Sequence, residues 1–504
     1  MKFKSSTILL FVLAGLLLAF YFVVNCLHFQ RSDYTSDIFS LYQLSHDWLL
    51  GKPLFYENSF GFHSKLHNYF ITLFIAPFTY IFGVYGIFVV LFSLALGALY
   101  AVLKMMDAMG TSIHAKWLFA ILYISPLTYF IFHDENYGFH IELLLIPLGL
   151  LFISAFLQHK KWYLVWALLI LLVKEDAVVF LCCLWITKYS SDWIKKDLTA
   201  KAFLIQSIAA GAICLLVFSA GLLWLKYMNH WSATRSGDVY STLKEQPFNE
   251  ILASFTYLLQ TRIQLTCFVL VIVYFYAGWR FTVGAILLST PILILNFLSG
   301  IFYMVDGAIF IKNTFSLLWA PRLGSYWAYW LGVLVIALTH KPSWYFYPYF
   351  IRTLACLVFG FLVFRLQYFF LKSCEVTRLD ITKNMTEAFE PNIEFEYNTE
   401  FKDAASIAQQ LPNHYPVAPM YRVFGAFYQQ DIVWLNSWWN AYYPPRMILA
   451  SYNKDEIPDV TKVMKHPVYM LYKEKLHIYT EVDDTIFIAR AGIRGEWKEL
   501  EMKP

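Results

Sequence analysis

The chain has 504 residues, of which 59% are hydrophobic and only 15% are charged. Soluble globular proteins carry about a quarter charged residues, so this composition excludes an ordinary soluble enzyme, a coiled coil and a disordered chain. The formal net charge of +4 is unevenly divided, because residues 372–504 hold 15 Lys and Arg against 19 Asp and Glu. The sequence therefore predicts a basic polytopic membrane body with an acidic soluble tail, and nothing in this charge pattern indicates a nucleic-acid partner.

Eleven apolar segments are long enough, or nearly long enough, to cross a membrane. The first, residues 8–27, follows a basic N-terminus and has no A-x-A cleavage site after it, so we interpret it as an uncleaved anchor with its N-terminus in the cytoplasm. The other ten are residues 86–103, 117–132, 141–157, 162–173, 177–188, 202–225, 263–279, 281–298, 323–339 and 351–371. Lys and Arg are denser in the loops that this count places inside, which favours the same orientation.

An odd number of spans places the tail on the outer side. We therefore predict a mainly α fold, with a polytopic membrane helical bundle over residues 1–371 and a soluble extracytoplasmic α/β domain over residues 372–504. The tail prediction rests on short apolar runs separated by Pro-, Asn- and Lys-rich turns. The predicted outer loops are residues 28–68, 133–140, 226–262 and 299–322.

One more apolar segment, residues 64–83, is not counted as a span. It contains Lys65, His67 and Pro77, and a crossing here would invert every later loop and remove the charge bias. We predict instead a helix that lies in the outer interface of the membrane.

Ionisable residues cluster in three segments on the predicted outer side. The first holds Asp33 and Asp37, the second runs from His133-Asp134-Glu135 to His140-Ile141-Glu142, and the third is Lys174-Glu175-Asp176. Ionisable groups near membrane depth are costly and usually face a polar cavity, so the three clusters together predict one shared, water-filled cavity. The alternatives are solvated loops for the first two clusters, and for the third an internal ion pair that permits a broken helix.

Such a cavity offers two kinds of chemistry. Carboxylates beside histidines supply a general base or hold a divalent cation, and a cation would take Asp37, His133 and Glu135 as ligands. No strict metal spacing supports the cation, and the seven cysteines form no CxxC pair. Whether the protein needs a cofactor is left open by the sequence.

Basic residues on the outer side go against the charge bias and therefore invite a functional interpretation. They are Lys312, Arg322 and Arg365. A guanidinium binds phosphate through its planar fork, so these residues are candidates to hold a lipid phosphate at the interface. The alternative is ordinary snorkelling of long basic side chains at a membrane edge.

The order of these features resembles the GT-C-fold glycosyltransferases, which include the protein O-mannosyltransferases and the lipid A aminoarabinose transferase. It is more closely similar to a family of bacterial membrane proteins called domain of unknown function 2079. The resemblance rests on Asp37 with Gln43 and Trp48 after it, His67 ten residues before Pro77, Phe139-His140-Ile141-Glu142, and Val173-Lys174-Glu175-Asp176-Ala177. Ile141 stands where that family usually has proline. The resemblance covers most of the chain, and its motifs concentrate in residues 31–180.

The resemblance implies a GT-C-like bundle of about 11 transmembrane helices in a bacterial inner (cytoplasmic) membrane. It implies an inverting transfer of a sugar from a polyprenyl-phosphate donor to an acceptor glycan, lipid or protein on the outer face. Asp37 would be the catalytic base or a metal ligand, with Asp33 as the second choice, and Glu135 or Asp134 the acid of the second loop. The substrate- or phosphate-binding candidates are His67, His140, Glu142, Lys174, Glu175, Lys312, Arg322 and Arg365.

Two other functions remain open at this point. A transporter or lipid flippase would show pseudo-symmetric halves, and the sequence has no visible repeat. A non-catalytic membrane assembly factor would use the tail to bind an outer partner. The sequence leaves the sugar, the acceptor and the role of the tail unassigned.

Overall fold

The computed structural model describes most of the first 372 residues and parts of the tail. The described residues are 4–31, 33–34, 36–59, 61–63, 67–134, 137–228, 244, 247–301, 320–340, 348–372, 381–390, 408–409, 411, 413, 416–419, 425–432, 447–450, 477–482, 485–491 and 497–502.

The body is a helical bundle, as the apolar runs predict, because a backbone in an apolar medium has to satisfy its hydrogen bonds within the helix. Its helices are α1 (Ser5–Gln30), α2 (Ser36–His46), α3 (Thr72–Phe82), α4 (Tyr85–Ala108), α5 (Ile113–Tyr123), α6 (Pro126–His133), α7 (Leu145–Leu157), α8 (Tyr163–Leu171), α9 (Ala177–Ile194), α10 (Ala200–Met228), α11 (Phe248–Ile301), α12 (Ala320–Leu338) and α13 (Tyr349–Lys372). Short 3₁₀ helices at Asp47–Leu50 and Ile141–Leu144 follow α2 and precede α7, and strands β1 (Tyr56–Glu57) and β2 (Gly61–Phe62) form a small hairpin between α2 and α3.

Among the described residues, seven helices are long and apolar enough to cross a membrane: Ser5–Gln30, Tyr85–Ala108, Ile113–His133, Ala177–Ile194, Ala200–Met228, Phe248–Leu298 and Tyr349–Lys372. Three shorter apolar helices cover Thr72–Phe82, Ile141–Leu157 and Leu323–Leu338. Helix α11 is broken inside its length, because Gly278 has φ 81°. The chain is therefore mainly helical with several membrane-length helices, and the count of about eleven spans and their orientation stay predictions.

The centre of the bundle is α12, whose described side chains are nearly all buried. Trp327 and Trp330 are at most 1% exposed, and the Trp327 indole donates to the Thr128 hydroxyl of α6 at 2.9 Å. A helix that is apolar on every side belongs in the interior of a bundle. By contrast, α10 exposes apolar side chains such as Leu215 and Leu216, which is the surface that lipid covers.

Side-chain contacts define two ends of the bundle. At one end, Phe29 of α1 packs edge-on against Tyr85 of α4 with ring centroids 5.2 Å apart. We call this the site end, because the ionisable clusters predicted from the sequence lie there. At the opposite end, Lys116 donates to Thr7 at 3.1 Å and forms an ion pair with Asp107, joining the start of α1 to the end of α4.

Helices α3 and α4 form a tight hairpin at the site end. Gly83 between them has φ 59°, and a Cβ added at Gly86 would lie 2.3 Å from the carbonyl oxygen of Phe78. Only glycine permits this approach of two backbones. The predicted interfacial helix over residues 64–83 corresponds to α3, and its position relative to a membrane stays a prediction.

The described tail contains helix α14 (Ile381–Glu387) and strands β3 (Pro416–Pro419), β4 (Asp431–Ile432), β5 (Met447–Ala450), β6 (His477–Val482), β7 (Thr485–Ala491) and β8 (Trp497–Met502). They form one mixed sheet in the order β4-β3-β5-β6-β7-β8, parallel at β4-β3-β5 and antiparallel from β5 to β8. A complete α/β domain over 372–504 stays a prediction.

Candidate functional site

Two predicted site residues from distant parts of the chain meet at the site end. Asp37, in the first turn of α2, lies 2.6 Å from Nε2 of His140 through its Oδ2 atom. The other ring nitrogen of His140 is hydrogen-bonded to Asp134, which directly follows α6. The result is a carboxylate–imidazole–carboxylate chain, which we call the relay. Its exposure is graded, because the side chain of Asp37 is 27% exposed, that of His140 7% and that of Asp134 4%.

Local backbone geometry holds the second loop against the first. Asp134 adopts a left-handed conformation with φ 46°, and Gly138 has φ 75°. A Cβ at Gly138 would lie 2.6 Å from the ring of Tyr34, so this ring packs directly beneath the loop. Glycine is therefore the residue that permits the loop to bring His140 to Asp37.

The relay is an electrostatic unit with a defined charge. Burial disfavours the charged form of His140, but the carboxylates of Asp134 and Asp37 outweigh it and hold the pKa of the imidazole well above its usual value. Burial raises the pKa of Asp134, against the opposing charge of His140. An imidazole that donates from both nitrogens is the protonated form, so His140 is a cation between two acids at neutral pH.

A buried ion pair lies beside the relay. Glu142, in the 3₁₀ helix that precedes α7, accepts from the Lys174 ammonium at 2.8 Å. The second Glu142 oxygen, Oε2, is buried and has no hydrogen-bond partner among the residues that the structure describes. Burial lowers the pKa of Lys174, but the carboxylates of Glu142, Asp176 and Glu175 outweigh burial and raise it. Lys174 is therefore the partner that the apolar setting of Glu142 requires.

The other two carboxylates of the third cluster complete this region. Glu175 accepts from the Asn68 backbone N–H at 3.1 Å and lies 2.9 Å from Nδ1 of His67. Burial raises the pKa of Glu175, and it raises that of Asp176 to about 6. The charges of Asp37 and Glu142 both contribute to the raised pKa of Asp134, so the relay and this cluster act on one another.

Asp33 lies in a different cluster, which joins the first loop to the tail. Its carboxylate lies 2.6 Å from Nδ1 of His28 and 3.0 Å from the Arg31 guanidinium. The rings of His133 and His28 are tilted at 54° with centroids 4.6 Å apart, and the two nitrogens of His133 contact the hydroxyl of Tyr34 and the amide of Asn384. Asn384 belongs to α14 and also accepts from Tyr129. Arg31 donates to the carbonyls of Glu387 and Glu390 as well.

Among the remaining predicted residues, Arg365 is exposed on α13 and is not part of the relay. Glu135 and Lys312 lie outside the described residues, and so does the side chain of Arg322. Of the proposed cation ligands, Asp37 contacts His140 and His133 contacts Tyr34, in two separate clusters. In the part of the chain that the structure describes, no three His, Cys, Asp or Glu side chains are grouped to hold a metal ion.

The structure adds polar residues that the sequence analysis did not single out. Glu57 lies 3.0 Å from Nδ1 of His63, and the backbone N–H of Asn58 donates at 3.0 Å to Gln43, which the resemblance had already named. Asn384 is the most important addition, because its side-chain amide connects the tail to His133. Its only sequence signal is a polar residue in a charged linker, and that signal is too common to identify a contact.

Comparisons with known proteins add no identification: no protein-family model, no curated protein and no solved structure matches this chain.

Proposed function

We propose that the protein is a GT-C-like, inverting membrane glycosyltransferase that transfers a sugar from a polyprenyl-phosphate donor to an acceptor hydroxyl at the site end. The observation that carries the proposal is the relay, in which the most exposed carboxylate, Asp37, is held by a protonated imidazole and a buried second carboxylate. The Asp37 carboxylate is therefore the member of the relay that an acceptor can reach, and His140 and Asp134 hold it in place.

Each member of the relay has a separate task in the proposed reaction. Asp37 takes the proton of the acceptor hydroxyl as the hydroxyl oxygen forms a bond to the anomeric carbon. The bond between that carbon and the phosphate oxygen breaks, and the lipid phosphate leaves with the electron pair. His140 is already protonated, so it positions Asp37 rather than acting as a base, and Asp134 fixes the ring through its other nitrogen.

Lys174 is the group best suited to the leaving phosphate. An ammonium has three N–H donors, and Glu142 takes one of them at 2.8 Å. The other two donors of this ammonium are the groups that would meet the anionic leaving phosphate. His67 and Glu175 pair with each other and would shape the neighbouring wall.

The proposal also includes the membrane in which the protein lies and its orientation there. The density of Lys and Arg in the predicted inner loops supports a cytoplasmic N-terminus, with the site end and the tail on the outer face of a bacterial inner membrane.

The test uses the full chain in lipid nanodiscs with a panel of radiolabelled polyprenyl-phosphate sugars and simple glycoside acceptors. Asp37→Asn should lower the release of polyprenyl phosphate by about 10²–10⁴-fold, the usual contribution of a general base. The matched control is Asp192→Asn, which also removes a carboxylate from an ion pair, here with Lys188, but lies on α9 at the opposite end. Full activity of Asp37→Asn, or no release by folded wild-type protein with any donor, would refute the proposal.

A further inference from the structure

A cleft of about 430 Å³ opens at the far end of α2 from Asp37. Its walls are the last turns of α2, the turn between α3 and α4, and the tail segment 425–432. Five aromatic rings line it, from Tyr42, His46, Phe82, Tyr85 and Tyr428. The relay does not use any of these residues, so the cleft is separate from the site described above.

The lining combines ring faces with uncharged hydrogen-bonding groups. Asn413 and Gln429 bring side-chain amides, and the Gln429 amide donates to the Tyr428 hydroxyl at 2.9 Å. Of the described residues that line the cleft, none is Lys, Arg, Asp or Glu. A phosphate or carboxylate ligand would find no counter-charge here, so the lining fits a neutral ligand that has both an apolar face and hydroxyl groups.

A pyranose has this chemistry. Its C–H face is apolar and slightly positive, which suits the negative face of an aromatic ring, and its hydroxyls pair with amides and phenols. The Tyr42 and His46 rings are stacked 4.8 Å apart at an interplanar angle of 21°, and both residues line the cleft. Tyr428 on the tail side is held by Phe29, with ring centroids 5.8 Å apart.

Ion pairs next to the cleft join the end of α2 to the tail. Lys52 lies 2.9 Å from Asp47, which follows α2, and 2.6 Å from Asp431 of β4. Gln43 donates to the carbonyl of Ile432 at 2.8 Å, so a second contact ties the same strand to α2. These bonds fix the tail wall relative to the helix wall, and a preformed site loses less entropy on binding.

The position of the cleft links it to the relay. Tyr42 and His46 follow Asp37 by five and nine residues on the same helix, which is roughly 8 to 14 Å along its axis. We propose that the cleft binds an uncharged sugar unit. In the transferase proposed above, on which this assignment of role rests, that unit belongs to a glycan acceptor whose next residue reaches Asp37.

The test measures binding without catalysis. Saturation-transfer NMR is recorded on the full chain in phosphatidylcholine nanodiscs with methyl glucoside, methyl mannoside and methyl galactoside, and with glucose 6-phosphate and glucuronate as charged probes. We expect transfer to at least one neutral glycoside and none to the charged sugars. The double variant Tyr42→Ala/Tyr428→Ala should weaken binding about tenfold, and Gln429→Ala should weaken it to a smaller degree. The control is Tyr274→Ala, an exposed tyrosine on α11.

Three results would overturn the cleft proposal: no transfer to any neutral glycoside, equal transfer to the charged sugars, or unchanged binding in both cleft variants. Asp37→Asn separates the two proposals, because it should bind the glycoside as the wild type does. Sugar binding without transferase activity in the wild type would leave the cleft assigned and the proposed function refuted. Transferase activity of the wild type without sugar binding in the cleft would support the proposed function and refute the cleft proposal.

Discussion

The buried pair of Lys174 and Glu142 gives the sharpest test of the site's energetics. Their side chains are 12% and 11% exposed and lie 2.8 Å apart. At that distance the attraction is about 6 kcal/mol with an effective dielectric constant of about 20, and most of it offsets the desolvation of the two charges. Lys174→Met leaves the carboxylate buried with no cation, so it should lower the free energy of unfolding by about 3–5 kcal/mol.

The measurement is an SDS titration of unfolding in mixed micelles, with Lys160→Met in an exposed turn as the control. The double variant Lys174→Met/Glu142→Leu removes both charges, so it should recover to within about 2 kcal/mol of the wild type. A single Lys174→Met variant within about 0.5 kcal/mol of the wild type would refute the reasoning. So would a double variant less stable than either single change, because the carboxylate would then not depend on the ammonium.

Three further predictions concern charge, the tail contact and the loop. Burial raises the pKa of Asp176 to about 6, so the ionisation of this carboxyl lowers the stability of the fold as pH rises from about 4 to 6. Asp176→Asn should therefore stabilise the protein above pH 6, on the order of 2–3 kcal/mol. The same variant should leave stability unchanged at pH 4 in the same SDS titration. Asn384→Ala should cost about 1–3 kcal/mol and increase proteolysis of the tail, whereas exposed Thr386→Ala should not, and equal digestion of the two would argue against the contact. Gly138→Ala should destabilise by at least about 1 kcal/mol because its φ is 75° and a ring fills the space beside it, while Gly211→Ala in open space should be neutral or stabilising; an equal effect at both would contradict this.

Helix positions could be predicted from the sequence because long apolar runs leave the backbone no alternative to a helix. Each of the eleven predicted segments overlaps a described helix, although the segment 117–132 is divided where α5 ends and α6 begins, and the segment 162–173 extends beyond both ends of α8. The signal for that break is Ser125-Pro126, since proline disfavours helical geometry in the residue before it. The break at Gly278 lies next to the predicted boundary between the segments 263–279 and 281–298.

The clustering of the site was also predictable, but its pairing was not. Ionisable side chains are costly near membrane depth, and this argument predicted that Asp37, His140 and Lys174 share one cavity. Which carboxylate contacts the imidazole depends on how α2 and the loop after α6 pack, and 103 residues separate Asp37 from His140. His140 and Glu142 are only two residues apart, and yet the partner of Glu142 is Lys174 from the third cluster. The contact of Asn384 with His133 depends on how the tail packs against the bundle, and residues 31–180 carry no information about that packing.

Buried ion pairs alone are weak evidence of function, because an apolar replacement of similar volume is often as stable. The opposite end of the bundle provides the comparison: Asp107 there meets one cation, Lys116, and the pair joins α4 to α5. At the site end, His140 is a single cation shared by two acids, and Lys174 faces three carboxylates. The site end therefore groups more acids than cations around His140 and Lys174, unlike the pair of Asp107 and Lys116. One exposed carboxylate held by a fixed cation is, however, what a reaction that removes a proton from a bound hydroxyl requires.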